Sequence, residues 1–378
     1  MEPRPRVIYV VHVVTRTNIG GPSVILESLL ADSSNDIRYT IVRGETDPTE
    51  GDYFAESADD DRFVTIEGLG RSISPLADLR AFVQLVKTLR SLSPDVVHTH
   101  MAKAGVVGRI AAWIARVPVR VHTYHGHLLY GYFSPLRTRL IVFIERLLKL
   151  ITTHSVVVGS AVRADLVNAG IVSMDRSEMI PPGIAAPQQD VAPDRCGVPT
   201  DKILVGYIGR LVPIKRPDRF VDAAARLASP HPNVEFVVVG DGPLGDDTRA
   251  RAATTPQIRF AGWRRNVASI LAALDVIVLC SDNEGIPLSL IEASHSGVPI
   301  VATKVGSVSD VVVNGSNGVL VEPTVDGLVR GIEQILNDEQ LRNRLGTAGR
   351  TLARERFSIV AAQERHRAMY RKLTDRAN

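Results

Sequence analysis

The sequence predicts an α/β protein of two doubly wound domains, each a parallel sheet covered by helices on both faces. Three observations carry this. Short β-branched runs alternate with amphipathic stretches along the whole chain. Its 378 residues exceed the ~250–300 at which a single core stops growing. A proline- and glycine-rich break near 180–199, holding Pro181, Pro182, Pro187, Pro193 and Pro199, separates two such α/β series.

In the first series, short β-branched runs place strands at 6–14, 39–43, 63–67, 95–99, 119–124 and 155–159. Helices fill the gaps at about 22–31, 75–92, 103–115, 135–151 and 161–169. The 135–151 stretch sets Leu136, Leu140, Phe143, Ile144, Leu147, Leu148 and Ile151 on one stripe, with Arg137, Arg139, Arg146 and Lys149 elsewhere around it. The pattern favours core packing of that stripe over membrane contact. After the break, strands are expected at 203–208, 234–239, 258–261, 276–280, 299–302 and 319–321, with helices between them and two more following. The expected division is a first domain over 1–183, a linker over 184–200, a second domain over 201–357 and a final helix at about 358–374.

Composition narrows the function classes. Hydrophobic residues make up 45% and charged residues 22%, as in soluble globular proteins. Cys196 and Cys280 have neither disulfide-framework nor zinc-ligand spacing, which fits a reducing cytoplasm. The first apolar run is only strand length, so no signal peptide is expected, and the longest apolar stretch carries Glu145, Arg146, Lys149 and His154, too many charges for a membrane span. Net charge is +3, yet residues 71–150 alone hold 12 basic and 3 acidic side chains. That block is either a solvated basic face or one drawn to an anionic membrane surface or a diphosphate-bearing acceptor. With 5% aromatic residues and no binding motif, nucleic acid is not an expected partner.

Several loops could carry chemistry. The first strand leads to Gly20-Gly21-Pro22, where bare backbone and a helix N-terminus can receive phosphate, although such a run is also an ordinary turn. The second domain's first strand ends at Gly209-Arg210, with Lys215-Arg216 just before the next helix. Two cations at a strand's carboxyl end suit a diphosphate. The run Glu284-Gly285-Ile286-Pro287-Leu288-Ser289-Leu290-Ile291-Glu292 sets two carboxylates eight apart around a helix start. There they can accept hydrogen bonds from sugar and ribose hydroxyls of a ligand over the helix N-terminus. Alternatively, Glu292 caps or salt-bridges.

Half of the ten histidines fall at His98, His100, His122, His125 and His127. His98 and His100 share a strand face, but no acidic or cysteine partner lies close in sequence, so structural roles are favoured over a metal site. His125, at the end of an apolar strand, is the best-placed functional candidate. Gly240-Asp241-Gly242-Pro243-Leu244-Gly245 matches the dinucleotide fingerprint in letters. Its strand is the second of its domain, and no acidic residue ends a strand ~20 residues on, so the context fails. There is no Walker A sequence.

Together these pieces resemble the family 4 glycosyltransferases of the GT-B fold over nearly the whole chain. The carriers are Gly20-Gly21, His98-Thr99-His100, the stretch from Lys103-Ala104-Gly105 through Thr123-Tyr124-His125-Gly126, Ile180-Pro181-Pro182-Gly183-Ile184, Gly209-Arg210 with Lys215, Gly240-Asp241-Gly242-Pro243 and the spaced glutamates. The resemblance implies two Rossmann-like domains facing across a cleft, with acceptor on the first, nucleotide-sugar donor on the second and the last helix packed back on the first. It also implies retention of anomeric configuration without a metal cofactor, in keeping with the absence of an Asp-x-Asp pair after an apolar strand; Asp59-Asp60-Asp61 reads as a solvent-facing loop. By the family pattern Arg210 and Lys215 hold the diphosphate, Gly21 and Gly209 approach it by backbone, and Gly285, Ile286, Pro287 and Leu288 line the donor site. Glu292 holds the ribose, Glu284 the transferred sugar, and His125 lies near the reacting carbon.

Two departures bear on the acceptor side: Ser23 stands where many members have glutamate, and Pro182 precedes Gly183 where the junction usually reads Pro-Asn-Gly. The wording around 124–133 is similar to members that extend bacterial surface polysaccharides or lipid-linked oligosaccharides. The expected donor is a UDP-sugar, and the expected acceptor a glycan or a polyprenyl-diphosphate-linked glycan, at the cytoplasmic face of a membrane. A nucleotide-sugar epimerase of the same fold, a non-catalytic nucleotide-sugar binding protein and a nucleotide-dependent oxidoreductase are the competing readings.

Overall fold

A computed structural model describes residues 6–18, 20–46, 51–55, 60–70, 74–126, 129, 134–187, 191–264 and 266–377. The chain forms two compact units, one of residues 1–183 with 359–378 and one of residues 184–358.

The first unit holds a seven-stranded parallel sheet. Its strands are β1 (Ile8–Val14), β2 (Ile37–Arg43), β3 (Phe63–Thr65), β4 (Val96–His100), β5 (Val119–Tyr124), β6 (His154–Val157) and β7 (Ser177–Met179). The spatial order β3-β2-β1-β4-β5-β6-β7 reverses direction between β1 and β4. β1 is buried along its whole length, as a strand covered on both faces must be. Helices α1 (Gly21–Leu30), α2 (Pro75–Leu92), α3 (Ala102–Ile114), α4 (Pro135–Lys149) and α5 (Ser160–Asn168) connect the strands.

The contact of α3 with the sheet explains one sequence motif. A Cβ on Gly105 would lie 2.5 Å from the His122 ring, and one on Gly108 would lie 2.7 Å from Thr99 Cγ2. Only glycine allows the helix this close. One turn on, the buried Arg109 donates to both oxygens of Glu145 on α4 at 2.9 Å, and the Tyr124 hydroxyl donates to the same carboxylate at 2.8 Å.

That ion pair, with Leu148 as the buried member of the stripe, fastens α4, while most of the stripe's leucines stay outside. Leu136 is 77% exposed, Leu140 and Phe143 58% and Leu147 51%, which overturns the core-packing expectation for this helix. Periodicity shows that one face is apolar; it does not show what covers that face.

The second unit holds a six-stranded parallel sheet: β8 (Ile203–Ile208), β9 (Val234–Val239), β10 (Ile258–Gly262), β11 (Val276–Leu279), β12 (Ile300–Thr303) and β13 (Gly318–Val321). Its order β10-β9-β8-β11-β12-β13 reverses between β8 and β11. The helices are α6 (Pro217–Ala228), α7 (Gly245–Ala252), α8 (Val267–Leu271), α9 (Leu288–Ser296), α10 (Val308–Val311), α11 (Val325–Leu336) and α12 (Glu339–Arg356). Residues 184–200, expected as a linker, count with this unit. Ile184 N donates to Phe357 O, Asp194 N to Ser269 O, and the Arg195 side chain to Ala273 O and Lys202 O.

The last helix, α13 (Ile359–Ala377), belongs to the first unit. Met369, Tyr370 and Leu373 join the core formed by Val10, Val96 and Val121, and the Gln363 amide donates to Ser28 O. α13 therefore supplies part of the first sheet's cover.

Candidate functional site

Ligands of open α/β sheets bind outside the strand carboxyl ends where the strand order reverses. In the second unit that place lies between β8 and β11, and both loops leaving it carry predicted residues. After β8 come Gly209 and Arg210, whose side chain is exposed. The loop then tightens into a 3-10 turn, Pro213–Lys215. Arg216 takes a left-handed conformation (φ 49°) and opens α6. It pairs with Asp218 and Asp282, and those bonds raise its pKa.

The loop after β11 brings Glu284 to Lys215. Lys215 Nζ lies 2.5 Å from Glu284 Oε1, and the Ser281 hydroxyl donates to the same oxygen at 2.6 Å. Oε1 is thus spent within the protein, while Oε2 makes no bond among the described residues. The backbone beside Glu284 is clamped as well. Ser307 N donates to Glu284 O, and a Cβ on Gly306 (φ 48°) would sit 2.0 Å from that oxygen. Ser281 O accepts from Thr303 Oγ1 at 2.8 Å. Sequence reading missed Ser281, Thr303 and Gly306: Thr303 and Gly306 meet the Glu284 loop only because β12 pairs with β11, and Ser281, three residues before Glu284, carries no distinguishing pattern.

Gly285 and Ile286 lead to Pro287, the N-cap of α9, with Leu288 its first residue. The helix start carries no side-chain cap, and Leu290 N donates to Pro287 O at 3.1 Å. Glu292 lies in the second turn of α9. Among the described residues its carboxyl has no hydrogen bond or ion pair, and burial raises its pKa to about 7. A cap or salt bridge is not its role.

The glycine turn after β9 belongs to the protein's own packing. A Cβ on Gly240 (φ 129°) would lie 2.0 Å from Gly209 O, and one on Gly242 2.6 Å from Leu211 O. These glycines let the turn lie against the β8 loop, so their likeness to a dinucleotide fingerprint has a steric origin. Cys280 is buried beside that loop with Sγ 3.0 Å from Arg216 O, and burial pushes its thiol up to about 12.

In the first unit the reversal lies between β1 and β4. β1 leads to Gly20, where a Cβ would meet nothing closer than 3.9 Å, and to Gly21, the first residue of α1. The protein's packing does not require the first of these glycines. Ser23 is buried and donates to Asn18 O at 2.7 Å, so it braces the turn. β4 is followed by Met101, the N-cap of α3, whose φ of 63° with ψ of 165° is a region almost reserved for glycine. That strain at the crevice is a feature no sequence pattern announced.

His98, His100 and His125 gather here with His12 of β1, which the sequence reading had not singled out. His127 lies outside the described residues, as does Asp59 of the acidic loop, where Asp60 pairs with Arg62. His122 points to the opposite face, its Nδ1 2.8 Å from Thr99 Oγ1. Donor atoms of His12, His98 and His100 lie within 4.8 Å of one another, close enough for a metal. Five of their six nitrogens are, however, engaged with each other, with His125 or with hydroxyls, and His12 Nε2 has no partner among the described residues. His12 Nδ1 and His100 Nε2 are 2.8 Å apart, within hydrogen-bond distance, and both nitrogens of His98 are bonded, to Tyr370 and Thr123.

Comparison with known proteins assigns the family. A sequence profile described as glycosyl transferases group 1 matches residues 188–352, and one described as glycosyl transferase 4-like domain matches residues 9–183. The chain is a family 4 glycosyltransferase. Among curated relatives, this glycosyltransferase is 28% identical over 84% of its length to 85% of an Escherichia coli protein named UDP-Gal:alpha-D-GlcNAc-diphosphoundecaprenol alpha-1,3-galactosyltransferase. It is 23% identical over 82% of its length to 85% of the capsular polysaccharide biosynthesis glycosyltransferase CapM of Staphylococcus aureus. Among solved structures, Anabaena HepE in complex with UDP and glucose superposes with a TM-score of 0.80 at 21% identity, covering 97% of this chain and all of that one. Both units of the glycosyltransferase thus have the Rossmann-like architecture of the GT-B fold.

Proposed function

We propose that this glycosyltransferase moves a hexose or N-acetylhexosamine from a UDP-sugar to a glycan or polyprenyl-diphosphate-linked acceptor in cell-surface polysaccharide synthesis, with retention of configuration and without a metal cofactor. The observation that carries the donor assignment is the Lys215–Glu284–Ser281 cluster at the strand reversal of the second sheet. One carboxylate oxygen holds the cation in place and leaves the other for sugar hydroxyls. The names of the E. coli and S. aureus relatives support the acceptor class.

The chemistry follows from charge. Breaking the anomeric bond builds positive charge on the sugar and negative charge on the departing diphosphate. Arg210, Lys215 and the α9 N-terminus would stabilise that negative charge, and Lys215, held by Glu284, need not reorganise as it grows. Glu284 Oε2 accepts hydrogen bonds from the sugar and Glu292 from the ribose, and His125 is assigned to the sugar near the reacting carbon. We assign front-face attack, in which a leaving phosphate oxygen takes the acceptor's proton while the acceptor oxygen bonds to the anomeric carbon.

Activity with a UDP-sugar panel and polyprenyl-diphosphate acceptors tests this reading. Product NMR should show the donor's anomeric configuration, and excess EDTA should leave the rate unchanged. An inverted product or a chelator-sensitive rate would overturn those parts. A rearranged free sugar formed with no acceptor present would mark an epimerase.

Membrane contact belongs to the same proposal. No helix among the described residues is long and apolar enough to cross a membrane. α4 nevertheless exposes Leu136, Leu140, Phe143 and Leu147 beside Arg137, Arg139, Arg146 and Lys149. An apolar stripe flanked by cations suits the surface of an anionic bilayer.

A further inference from the structure

Glu284 has two chemically equivalent oxygens, and rotation about the bond to its carboxylate exchanges them at little cost. The surroundings decide which one faces a ligand. Lys215 Nζ and the Ser281 hydroxyl both meet Oε1, at 2.5 and 2.6 Å, while Oε2 has no partner among the described residues and is not sealed inside the protein. One oxygen is therefore turned inward by two donors of different kinds.

The two donors differ in how firmly they hold. Lysine is a point charge with three N–H groups on a flexible stem, so it can follow either oxygen. It also has a second task, because a diphosphate bound beside it competes with the carboxylate for its N–H groups. Ser281 has neither freedom. It is buried, its hydroxyl carries one proton, and 2.6 Å is the length expected when an O–H group donates to an ionised oxygen.

The turn around that bond is fixed from three sides. Thr303 Oγ1, at the end of β12, donates to Ser281 O at 2.8 Å, and Asp282 N donates to Ile214 O in the β8 loop at 2.9 Å. Ser307 N donates to Glu284 O at 3.2 Å, and Gly306 lies too close to that oxygen to carry a side chain. None of these bonds involves the Lys215 side chain, so the turn keeps its shape when that side chain moves.

We propose that Ser281 is a positioning residue for sugar transfer: its hydroxyl keeps Oε1 turned inward while Lys215 engages the diphosphate, so Oε2 stays presented to the hydroxyls of the donor's sugar. The proposal rests on the reading of Glu284 as the sugar contact, and the test separates the two. UDP lacks the transferred sugar, so its binding should not need Ser281. Because Ser281 acts through Glu284, its removal should matter little where the carboxylate is already gone.

Steady-state kinetics of the full-length protein, with the UDP-sugar that the donor panel identifies, test this beside calorimetry with UDP. Ser281→Ala should lower kcat about tenfold, the loss of one hydrogen bond to a charged group, and leave the Kd for UDP within about twofold of wild type. In a Glu284→Ala background the same change should cost less than about twofold. A wild-type kcat for Ser281→Ala beside an impaired Glu284→Ala protein overturns the proposal and leaves Glu284 on the sugar. An equal loss in both backgrounds, or a loss of UDP affinity as large as the loss of rate, also overturns it, since each marks a general structural role. If Glu284→Ala itself transfers sugar at the wild-type rate, the assignment of Glu284 fails, and the role of Ser281 falls with it.

Discussion

At the scale of single residues, Lys215 and Glu292 both belong to the second unit but sit in opposite electrostatic surroundings. Lys215 is fixed by Glu284 Oε1, so the cation needs no reorganisation when a diphosphate leaves. Lys215→Ala should lower kcat on the order of 10²–10³-fold, the usual loss for one preorganised electrostatic contact. Steady-state kinetics would refute the role if kcat stayed at the wild-type value. Glu292 behaves oppositely because nothing compensates its burial, which raises its pKa to about 7. Between the ordinary glutamate range and pH 7 the folded protein keeps a proton that the unfolded chain has lost. Stability contributed by this group is therefore full below pH ~4.5 and lost as pH rises to 7. A ribose that donates to the carboxylate prefers the ionised form, so UDP should bind more tightly as pH rises from 6 to 8, with proton release. Calorimetry in buffers of different ionisation enthalpy reads this directly, and Glu292→Gln should flatten the dependence. A wild-type affinity independent of pH would sink it.

At the scale of elements, what the sequence revealed depended on the length of the pattern. Six- and seven-residue strands such as β8 and β1 stand out as unbroken apolar runs. β7 has three residues, too few for a period, and went unseen. α4 shows the other limit, since its stripe reads equally well as core or as surface. Its seat depends instead on Arg109, which is nearly fully buried and neutralised by Glu145 with help from Tyr124. Glu145→Gln leaves a buried cation without its counter-charge, which typically costs about 3–5 kcal/mol. Thermal unfolding of that variant should show a clear fall in Tm, and an unchanged Tm would mean that water reaches the guanidinium. The exposed face makes a separate prediction. Leu140→Glu with Phe143→Glu should leave Tm within a degree or two while abolishing co-sedimentation with phosphatidylglycerol vesicles. Vesicle binding that survives would assign the membrane contact elsewhere, and a dimer lost on substitution would assign the face to a second copy of the chain. The histidine cluster was half legible for a related reason. His98, His100 and His125 stand close in sequence, but His12 joins them only because β1 and β4 pair in register.

For the molecule as a whole, the route of the chain decides which functions can be separated. It builds most of the first unit, makes the second without interruption over 184–358, and returns at Ile359 to finish the first with α13. The first unit cannot be cut out as an N-terminal fragment, because Tyr370 and Leu373 fill its core and Tyr370 is bonded to His98. The second unit is one uninterrupted segment with its own sheet and apolar clusters on both sheet faces. Arg210, Lys215, Glu284, Glu292 and the α9 N-terminus all lie within it. If these groups hold the nucleotide as proposed, a fragment of residues 184–358 should fold alone and bind UDP with nearly the affinity of the full chain, without transferring sugar. UDP at 100 times its Kd should raise the fragment's unfolding free energy by about 2.7 kcal/mol, visible as a shift in Tm. A folded fragment that gains nothing from UDP would show that the first unit supplies essential nucleotide contacts, and would move the donor site off the Lys215–Glu284 cluster.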